Sequence, residues 1–145
     1  MSNIERTGWR DEGISRHHRE WGVACPATDL DFVLVERKYN NPVALIEYKN
    51  QHSRPVSLED GNILCIKQLG DKANLPVFVV KYSDNFYFYG VLPINSISQI
   101  MITQSFCIMN EQQYVNWLYQ LRGEGLPISM SLYTGSLLQG QAGGS

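Results

Sequence analysis

Residues 28–49 read T-D-L-D-F-V-L-V-E-R-K-Y-N-N-P-V-A-L-I-E-Y-K, and this stretch decides the fold class that the sequence predicts. It contains two short apolar runs joined by a polar turn, which indicates a β-hairpin. Asp29 and Asp31 stand at the start of the first strand, and Glu47 and Lys49 stand at the end of the second. Carboxylates are costly beside a buried sheet unless they are paired or bind a cation. Their concentration at one end of the hairpin therefore predicts a divalent-metal site.

The register of the hairpin sharpens this prediction. Folding the hairpin symmetrically about Tyr39 places residues on the two strands opposite each other, with their side chains on one face and their Cβ atoms roughly 4.5–5.5 Å apart. The apolar half of that face then belongs to the core and the charged half forms a cluster at its rim. The opposed pairs are Val35 with Val43, Val33 with Leu45, Asp31 with Glu47, and Asp29 with Lys49.

A carboxylate pair with a lysine suits phosphoryl chemistry. Mg²⁺ prefers carboxylate oxygens and keeps several waters, so one or two acidic side chains and a substrate phosphate complete its shell. The ion activates water and stabilises charge on the phosphoryl oxygens. Lys49 is placed to hold or deprotonate the attacking water, or to stabilise the transition state electrostatically.

These residues resemble the PD-(D/E)xK nuclease superfamily. Asp31, followed by the apolar residues 32–35, matches the motif aspartate, with Asp29 as the alternative, while Glu47 and Lys49 match the E-x-K element. Pro26 departs from the pattern, because it stands three residues before Asp29 instead of directly before the aspartate. The resemblance covers about residues 11–92.

The resemblance implies an α/β fold of the restriction-endonuclease-like αβββαβ type, with a central mixed sheet flanked by helices. It further implies that Asp31, Glu47 and the main-chain carbonyl of Tyr48 bind Mg²⁺ or Mn²⁺. A second E-x-K match, Glu36-Arg37-Lys38, runs into the turn among other charges and indicates solvated surface.

A helix is predicted upstream, from Asp11 to Trp21, with Ile14, one histidine and Trp21 at helical spacing on one face. In the resembled family such a helix often supplies a Glu, sometimes a His, to the metal or phosphate. The candidates are Glu20, His17 and His18; adjacent histidines point to different sides of a helix, so at most one can face the site. Arg16 and Arg19 are candidate phosphate contacts.

A second helix is predicted downstream, starting at Ser57-Leu58-Glu59-Asp60 in a capping arrangement and running to about Leu69, with its end near Gly70. Its predicted apolar stripe is Leu58, Cys65, Ile66 and Leu69. The resemblance makes Gln68 and Lys67 candidates for the active site. Arg54, in the polar loop directly after Lys49, is a candidate substrate contact.

The rest of the chain completes a single predicted domain over residues 1–123. Two further strands are expected at 76–82 and 86–92, separated by a turn at residues 83–85. Asn110 is expected to cap a final helix that ends before Gly123, with Tyr114, Trp117, Leu118 and Leu121 on one face. Residues 124–145 are expected to form a loosely packed segment and then a disordered tail.

Bulk properties agree with a compact cytoplasmic protein. Of the 145 residues, three are widely spaced cysteines, which indicates reduced thiols. The apolar runs are too short to span a bilayer and residues 1–6 do not resemble a signal segment, so no membrane association is expected. The net charge of −2 disfavours nucleic-acid binding mildly, but positive charge is concentrated at Arg6, Arg10, Arg16 and Arg19.

The sequence therefore predicts a metal-dependent nuclease that hydrolyses phosphodiester bonds of DNA, the substrate that the resemblance implies. A homodimer is one arrangement compatible with a chain of this size. The alternative is a catalytically silent nucleic-acid-binding or assembly subunit that keeps the nuclease fold. A third interpretation is an interaction domain whose acidic hairpin end has no catalytic role.

Overall fold

The computed structural model describes residues 12–123, which form helices on both faces of one β-sheet. The elements in chain order are α1 (Glu12–Arg19), β1 (Phe32–Val35), β2 (Pro42–Asn50), α2 (Gly61–Ala73), β3 (Val77–Tyr82), β4 (Phe88–Pro93), α3 (Ser96–Met101), β5 (Cys107–Asn110) and α4 (Glu111–Leu121). Arg6, Arg10 and the predicted tail at 124–145 lie outside the described residues. No helix within residues 12–123 has the length and apolar character needed to cross a membrane.

The sheet has the strand order β1-β2-β3-β4-β5 and is mixed. β2 and β3 run parallel and are connected through α2, whereas the other neighbouring strands are antiparallel. The predicted α/β architecture with a mixed sheet flanked by helices is thus confirmed. The expected αβββαβ order differs in one respect, because residues 12–123 contribute two strands, not three, between α1 and α2.

Alternation along the strands divides the core into two layers. On one face, residues such as Ala44, Ile46, Phe78 and Val80 pack against Tyr114, Trp117, Leu118 and Leu121 of α4. On the other face, residues such as Leu45, Val77 and Val79 pack against Ile63 and Ile66 of α2. Because successive strand residues point to opposite faces, Glu47 and Lys49 belong to the α2 face and Tyr48 to the α4 face.

The start and the end of α2 differ from the prediction. Its N-cap is Asp60, whose side chain accepts a hydrogen bond from the Asn62 N–H, and not Ser57. The helix continues past Gly70 to Ala73, and Asn74 closes it in the left-handed conformation with φ 58°. Gly70 does not end the helix. It allows α2 to approach the sheet, because a Cβ at this position would collide with Cγ2 of Val77.

The apolar stripe of α2 was also predicted wrongly. The buried residues are Ile63, Ile66 and Gly70, which share one face at helical spacing. Of the predicted stripe, only Ile66 is buried; Leu58 lies before the helix, and Leu58, Cys65 and Leu69 are exposed. Apolar residues recur at helical spacing on two adjoining faces of this helix, so periodicity alone does not show which face is buried.

The strand and helix predictions after α2 are largely confirmed. β3 lies within the predicted range, but β4 begins at Phe88, because Phe86 is in the turn with φ 61°. Asn110 caps α4 in a reciprocal capping box with Gln113, and the predicted face of α4 packs on the sheet. The sequence does not predict α3 and β5, which are six and four residues long.

Candidate active site

The hairpin of β1 and β2 has the predicted register next to the charged residues. Val33 opposes Leu45 as predicted, and Phe32 opposes Ile46. The predicted opposition of Val35 and Val43 is wrong, because a register shift after Leu34 places Val35 opposite Pro42. The shift lies at the turn end of the hairpin, so it does not disturb the end that carries the carboxylates.

Asp31 and Glu47 lie side by side at that end. The Asp31 N–H donates to Oε2 of Glu47 at 3.4 Å. In return, the main-chain N–H of Tyr48 donates to Oδ2 of Asp31 at 2.9 Å. The structure therefore brings together the two predicted metal-binding carboxylates and fixes one of them through the backbone of the E-x-K strand.

Glu47 lies in a setting that disfavours its ionised form. Its side chain is 12% exposed, and burial is the main cause that raises the pKa of this carboxyl above its usual value. The negative charge of Asp31 raises the pKa further. Lys49 opposes this effect, with its Nζ 3.8 Å from Oε1 of Glu47. A divalent cation at the pair would act in the same direction as Lys49, but more strongly.

A second lysine, which the sequence reasoning missed, lies on the same face. Lys81 of β3 is the ladder partner of Lys49 in the parallel β2–β3 pair. Its Nζ donates to the carbonyl oxygens of Ser53 and Arg54, both at 3.3 Å. The sequence does contain a sign of this residue, because a lysine follows four apolar residues near the end of the predicted strand. Its position beside Lys49, however, depends on the parallel pairing of β3 with β2, which the sequence does not specify.

The residues of α1 bond among themselves and to the segment that follows. His17 Nδ1 contacts Oε2 of Glu20 at 3.2 Å, and Arg16 contacts Glu12 at 3.4 Å. His18 Nε2 donates to the carbonyl oxygen of Cys25 at 2.7 Å. No residue of α1 is buried, and Ile14 and Trp21, which were predicted to lie on one helical face, are both exposed.

Asp29 lies before the ladder begins at Phe32, so its predicted opposition to Lys49 is not part of the strand pairing. It lines a cavity of about 570 Å³ together with His18 and Arg19. Within residues 12–123, no three His, Cys, Asp or Glu side chains form a group that could hold a metal ion. The structure therefore brings Asp31 and Glu47 together, but adds neither Asp29, Glu20, His17 nor His18 to them as a metal-binding group.

The candidates on α2 and in the preceding loop lie in different surroundings. Gln68 is exposed on the helix face opposite the buried Ile63 and Gly70. Lys67 pairs with Asp71 at 3.6 Å. Arg54 is exposed in the loop between β2 and α2.

The first turn of α2 is attached to the segment that leads to Asp31. Thr28, three residues before Asp31, donates a hydrogen bond from Oγ1 to Oδ1 of Asn62 at 2.6 Å. This end of a helix carries a partial positive charge, so it favours bound anions nearby. Asn62, in the first turn of α2, therefore contacts the segment that leads to Asp31.

The competing E-x-K match has a structural role. The Glu36 carboxylate accepts hydrogen bonds from the N–H groups of Lys38, Tyr39 and Asn41, at 2.7 to 3.1 Å. The bond from Asn41 is the main cause that lowers the pKa of Glu36. Glu36 therefore organises the turn between β1 and β2, where Asn40 has φ 59°.

Comparison with known proteins gives no further guide to this site, since no protein family, curated protein or solved structure is significantly similar to the chain.

Proposed function

We propose that this protein is a metal-dependent nuclease that hydrolyses phosphodiester bonds of DNA, on a fold of the restriction-endonuclease-like type. One observation carries the proposal: main-chain hydrogen bonds hold the carboxylates of Asp31, directly before β1, and Glu47, on β2, side by side, with Lys49 on the same face as Glu47. A catalytic site of this class needs carboxylates, a cation-binding position and a positive group at the phosphate. Asp31 and Glu47 supply the carboxylates, and Lys49 supplies the positive group.

The two carboxylates suit Mg²⁺ or Mn²⁺ by their chemistry. Hard cations prefer carboxylate oxygens, and a cation would favour the ionised form of Glu47, whose pKa is raised first by burial and then by the negative charge of Asp31. Asp31, Glu47 and the carbonyl oxygen of Tyr48 are the groups that would hold the ion. When bound, the ion supplies charge stabilisation on the phosphate and activates water for attack.

Lysine side chains on the α2 face would contact the phosphate and the attacking water. Lys49 Nζ is close enough to Glu47 to donate hydrogen bonds to a phosphate held at the pair and to the attacking water. Lys81 adds a second ammonium group on the next strand. These two charges would stabilise the additional negative charge that develops on the phosphate during hydrolysis.

A cleavage assay tests the proposal. Single-stranded, double-stranded and branched DNA are incubated with the full chain in Mg²⁺, Mn²⁺ or EDTA. We expect cleavage in either metal, none in EDTA, and a loss of at least about a hundredfold in Asp31→Ala and Lys49→Ala, in line with the loss of one electrostatic group at a reacting centre. Exposed residues of the same charge serve as controls: Glu59→Ala and Lys72→Ala should keep full activity.

A second function is favoured by one finding. The described residues gather two carboxylates but no third ligand side chain into a metal-binding group. A catalytically silent subunit that binds nucleic acid fits that finding. DNA binding without cleavage in any metal would support the silent subunit and reject the nuclease, whereas the absence of both would reject the two together. Cleavage of RNA in place of DNA would retain the chemistry and change the substrate.

A further inference from the structure

The α2 face of the sheet is covered over only part of its area by the residues that the structure describes. α2 packs on the part formed by Leu45, Val77 and Val79. The remaining part carries charged and aromatic side chains. This open face consists of Lys49, Lys81, Phe88, Gly90 with Phe106 over it, and Ile108.

Strand pairing aligns much of the open face in one row. Lys49 pairs with Lys81, Lys81 with Gly90, and Gly90 with Ile108. Neighbouring strands lie about 4.8 Å apart, so this row crosses about 14 Å of the sheet. The carboxylate pair lies at its β2 end, since Glu47 is two residues before Lys49 on the same face.

The β2 end of the row carries two lysines, Lys49 and Lys81, beside the carboxylate pair. The hydrogen bonds of Lys81 go to two neutral carbonyl groups, and within residues 12–123 no carboxylate forms an ion pair with it. These bonds also hold the loop of Ser53 and Arg54 beside the row. Two lysines on adjacent strands are a suitable contact for the negative backbone of a nucleic acid.

The other end of the row is aromatic and apolar. Phe106 is 45% exposed and covers Gly90, where a Cβ would collide with the Phe106 ring. Phe88, two residues before Gly90 on the same face, is 53% exposed. Ile108 is 65% exposed. Glycine at position 90 is thus what lets an aromatic ring lie on the sheet surface.

A cavity of about 500 Å³ adjoins the aromatic end. Leu92, the residue two after Gly90 on the same strand, forms part of its wall. Amide and hydroxyl groups that can donate and accept hydrogen bonds form another part. They belong to Gln99, Thr103, Gln104 and Ser105, the last of which directly precedes Phe106.

We propose that the open face binds single-stranded DNA, with Lys49 and Lys81 on the phosphates and with Phe88 and Phe106 stacked on unpaired bases. The inference deepens the proposed function, on which it rests, by naming the substrate class. Aromatic side chains stack on any base, but the base faces are accessible only where the strand is not paired and stacked. The positive charge of the lysines matches the phosphates of such a strand, and the flat apolar rings match its bases. A strand bound along the row would reach the carboxylate pair.

Binding is measured separately from cleavage. The full chain is titrated, in EDTA, into a fluorescently labelled 20-nucleotide single strand, the corresponding duplex, and a strand of the same length without bases, with anisotropy as the readout. We expect the single strand to bind more tightly than the other two by about tenfold for each of the two stacked bases, which is the size expected for stacking of one base. Phe88→Leu and Phe106→Leu should each remove about this factor for the single strand and leave the affinity for the baseless strand unchanged. Leucine keeps the apolar cover, so loss of the fold is avoided, and circular dichroism verifies this.

Matched controls isolate the two kinds of contact. Tyr39→Leu removes an exposed aromatic ring at the β1–β2 turn and should have no effect. Lys81→Gln should weaken binding to both the normal and the baseless strand and reduce the salt dependence by about 0.7 in a log–log plot, the value for one phosphate contact on a single strand. Lys72→Gln, on the exposed side of α2, should change neither.

Equal affinity for all three nucleic acids, or unaltered affinity in both phenylalanine variants, would overturn the inference. So would a dimer in light scattering that dissociates in Ile108→Glu and does not bind the single strand, since a second copy would then cover this face. These outcomes are independent of the nuclease proposal, which depends on cleavage in metal and on Asp31. A duplex-specific nuclease would pass the cleavage test and fail this one.

Discussion

The main-chain N–H of Tyr48 donates a 2.9 Å hydrogen bond to Oδ2 of Asp31. The backbone of the residue between Glu47 and Lys49 thereby positions the aspartate that directly precedes β1. Its side chain serves the opposite layer, where its hydroxyl contacts that of Tyr114 at 2.5 Å. One residue thus links the candidate site on the α2 face to the packing of α4.

The bond to Tyr48 distinguishes two substitutions of Asp31. Asp31→Asn keeps an oxygen that can accept from the Tyr48 N–H, whereas Asp31→Ala does not. We expect both variants to lose nuclease activity, and Asp31→Ala to lose in addition about 1 kcal/mol of unfolding free energy, the typical net value of one hydrogen bond. Urea denaturation measures the difference. Equal stability of the two variants would show that the bond contributes nothing to the fold.

Glu47→Gln should stabilise the protein at neutral pH. The pKa of Glu47 is raised in the folded state, so the folded protein binds this proton more tightly than the unfolded chain does. The corresponding stability is fully present below the unfolded pKa of about 4.3 and is lost as pH rises through the folded pKa. Glutamine at position 47 does not ionise, so the variant does not lose this stability as pH rises. Thermal denaturation from pH 4 to 8 should show a higher melting temperature of the variant at pH 7 and a smaller difference at pH 4. Glu59→Gln, in an exposed setting, is the matched control.

Mg²⁺ should stabilise the folded protein through the carboxylate pair, independently of any reaction. At a concentration ten times its dissociation constant, a ligand that binds only the folded state adds about 1.4 kcal/mol. We expect the melting temperature of the wild-type protein to rise with Mg²⁺ and that of the Asp31→Asn, Glu47→Gln double variant to stay constant. A parallel rise in both proteins would place the ion elsewhere.

The Tyr48 and Tyr114 hydroxyl groups should depend on each other. Tyr114 is 3% exposed, so removal of one hydroxyl leaves the other without its partner in the protein interior. Tyr48→Phe and Tyr114→Phe should each cost about 1–3 kcal/mol, and the double variant should cost less than the two single values together. A double-mutant cycle in urea measures this coupling. Additive values would indicate that the two groups act independently.

Two glycines of α2 should respond oppositely to alanine. Gly70→Ala introduces a Cβ against Val77 and should cost about 1–3 kcal/mol through overpacking. Gly61→Ala has no described atom within 4 Å of its Cβ and should be neutral or stabilise by about 0.4–1 kcal/mol through reduced entropy of the unfolded chain. Thermal denaturation of both variants gives the comparison. Equal effects would mean that α2 shifts to make room for the methyl group.

The parts of the structure that follow from local rules were predictable. Strand alternation is enough to place Asp31 beside Glu47, and a capping residue with a helical apolar face is enough to place α4. Asp60 and Ser57 both suit a helix cap, so the start of α2 depended on which of them the tertiary structure uses. Gly70 has the local character of a helix end, but its role comes from the approach of Val77.

Other parts depend on pairing between distant segments. Lys81 gained its place beside Lys49 from the parallel β2–β3 ladder, and Phe106 gained its place from the missing side chain of Gly90. β5 is four residues long and pairs with β4 at the end of the sheet. Such short elements carry too little periodicity to be recognised before the sheet that holds them is known.

Asp31 directly precedes β1, a strand of four residues at the end of the sheet order, whereas Glu47 lies on β2 between two neighbours. Short terminal strands open locally at a lower free energy than the core. Detachment of β1 alone would separate the two carboxylates while β2, β3 and α2 remain folded. The integrity of the site is therefore governed by a local opening equilibrium, and amide hydrogen exchange at Phe32 to Val35 would report on it more directly than global unfolding does.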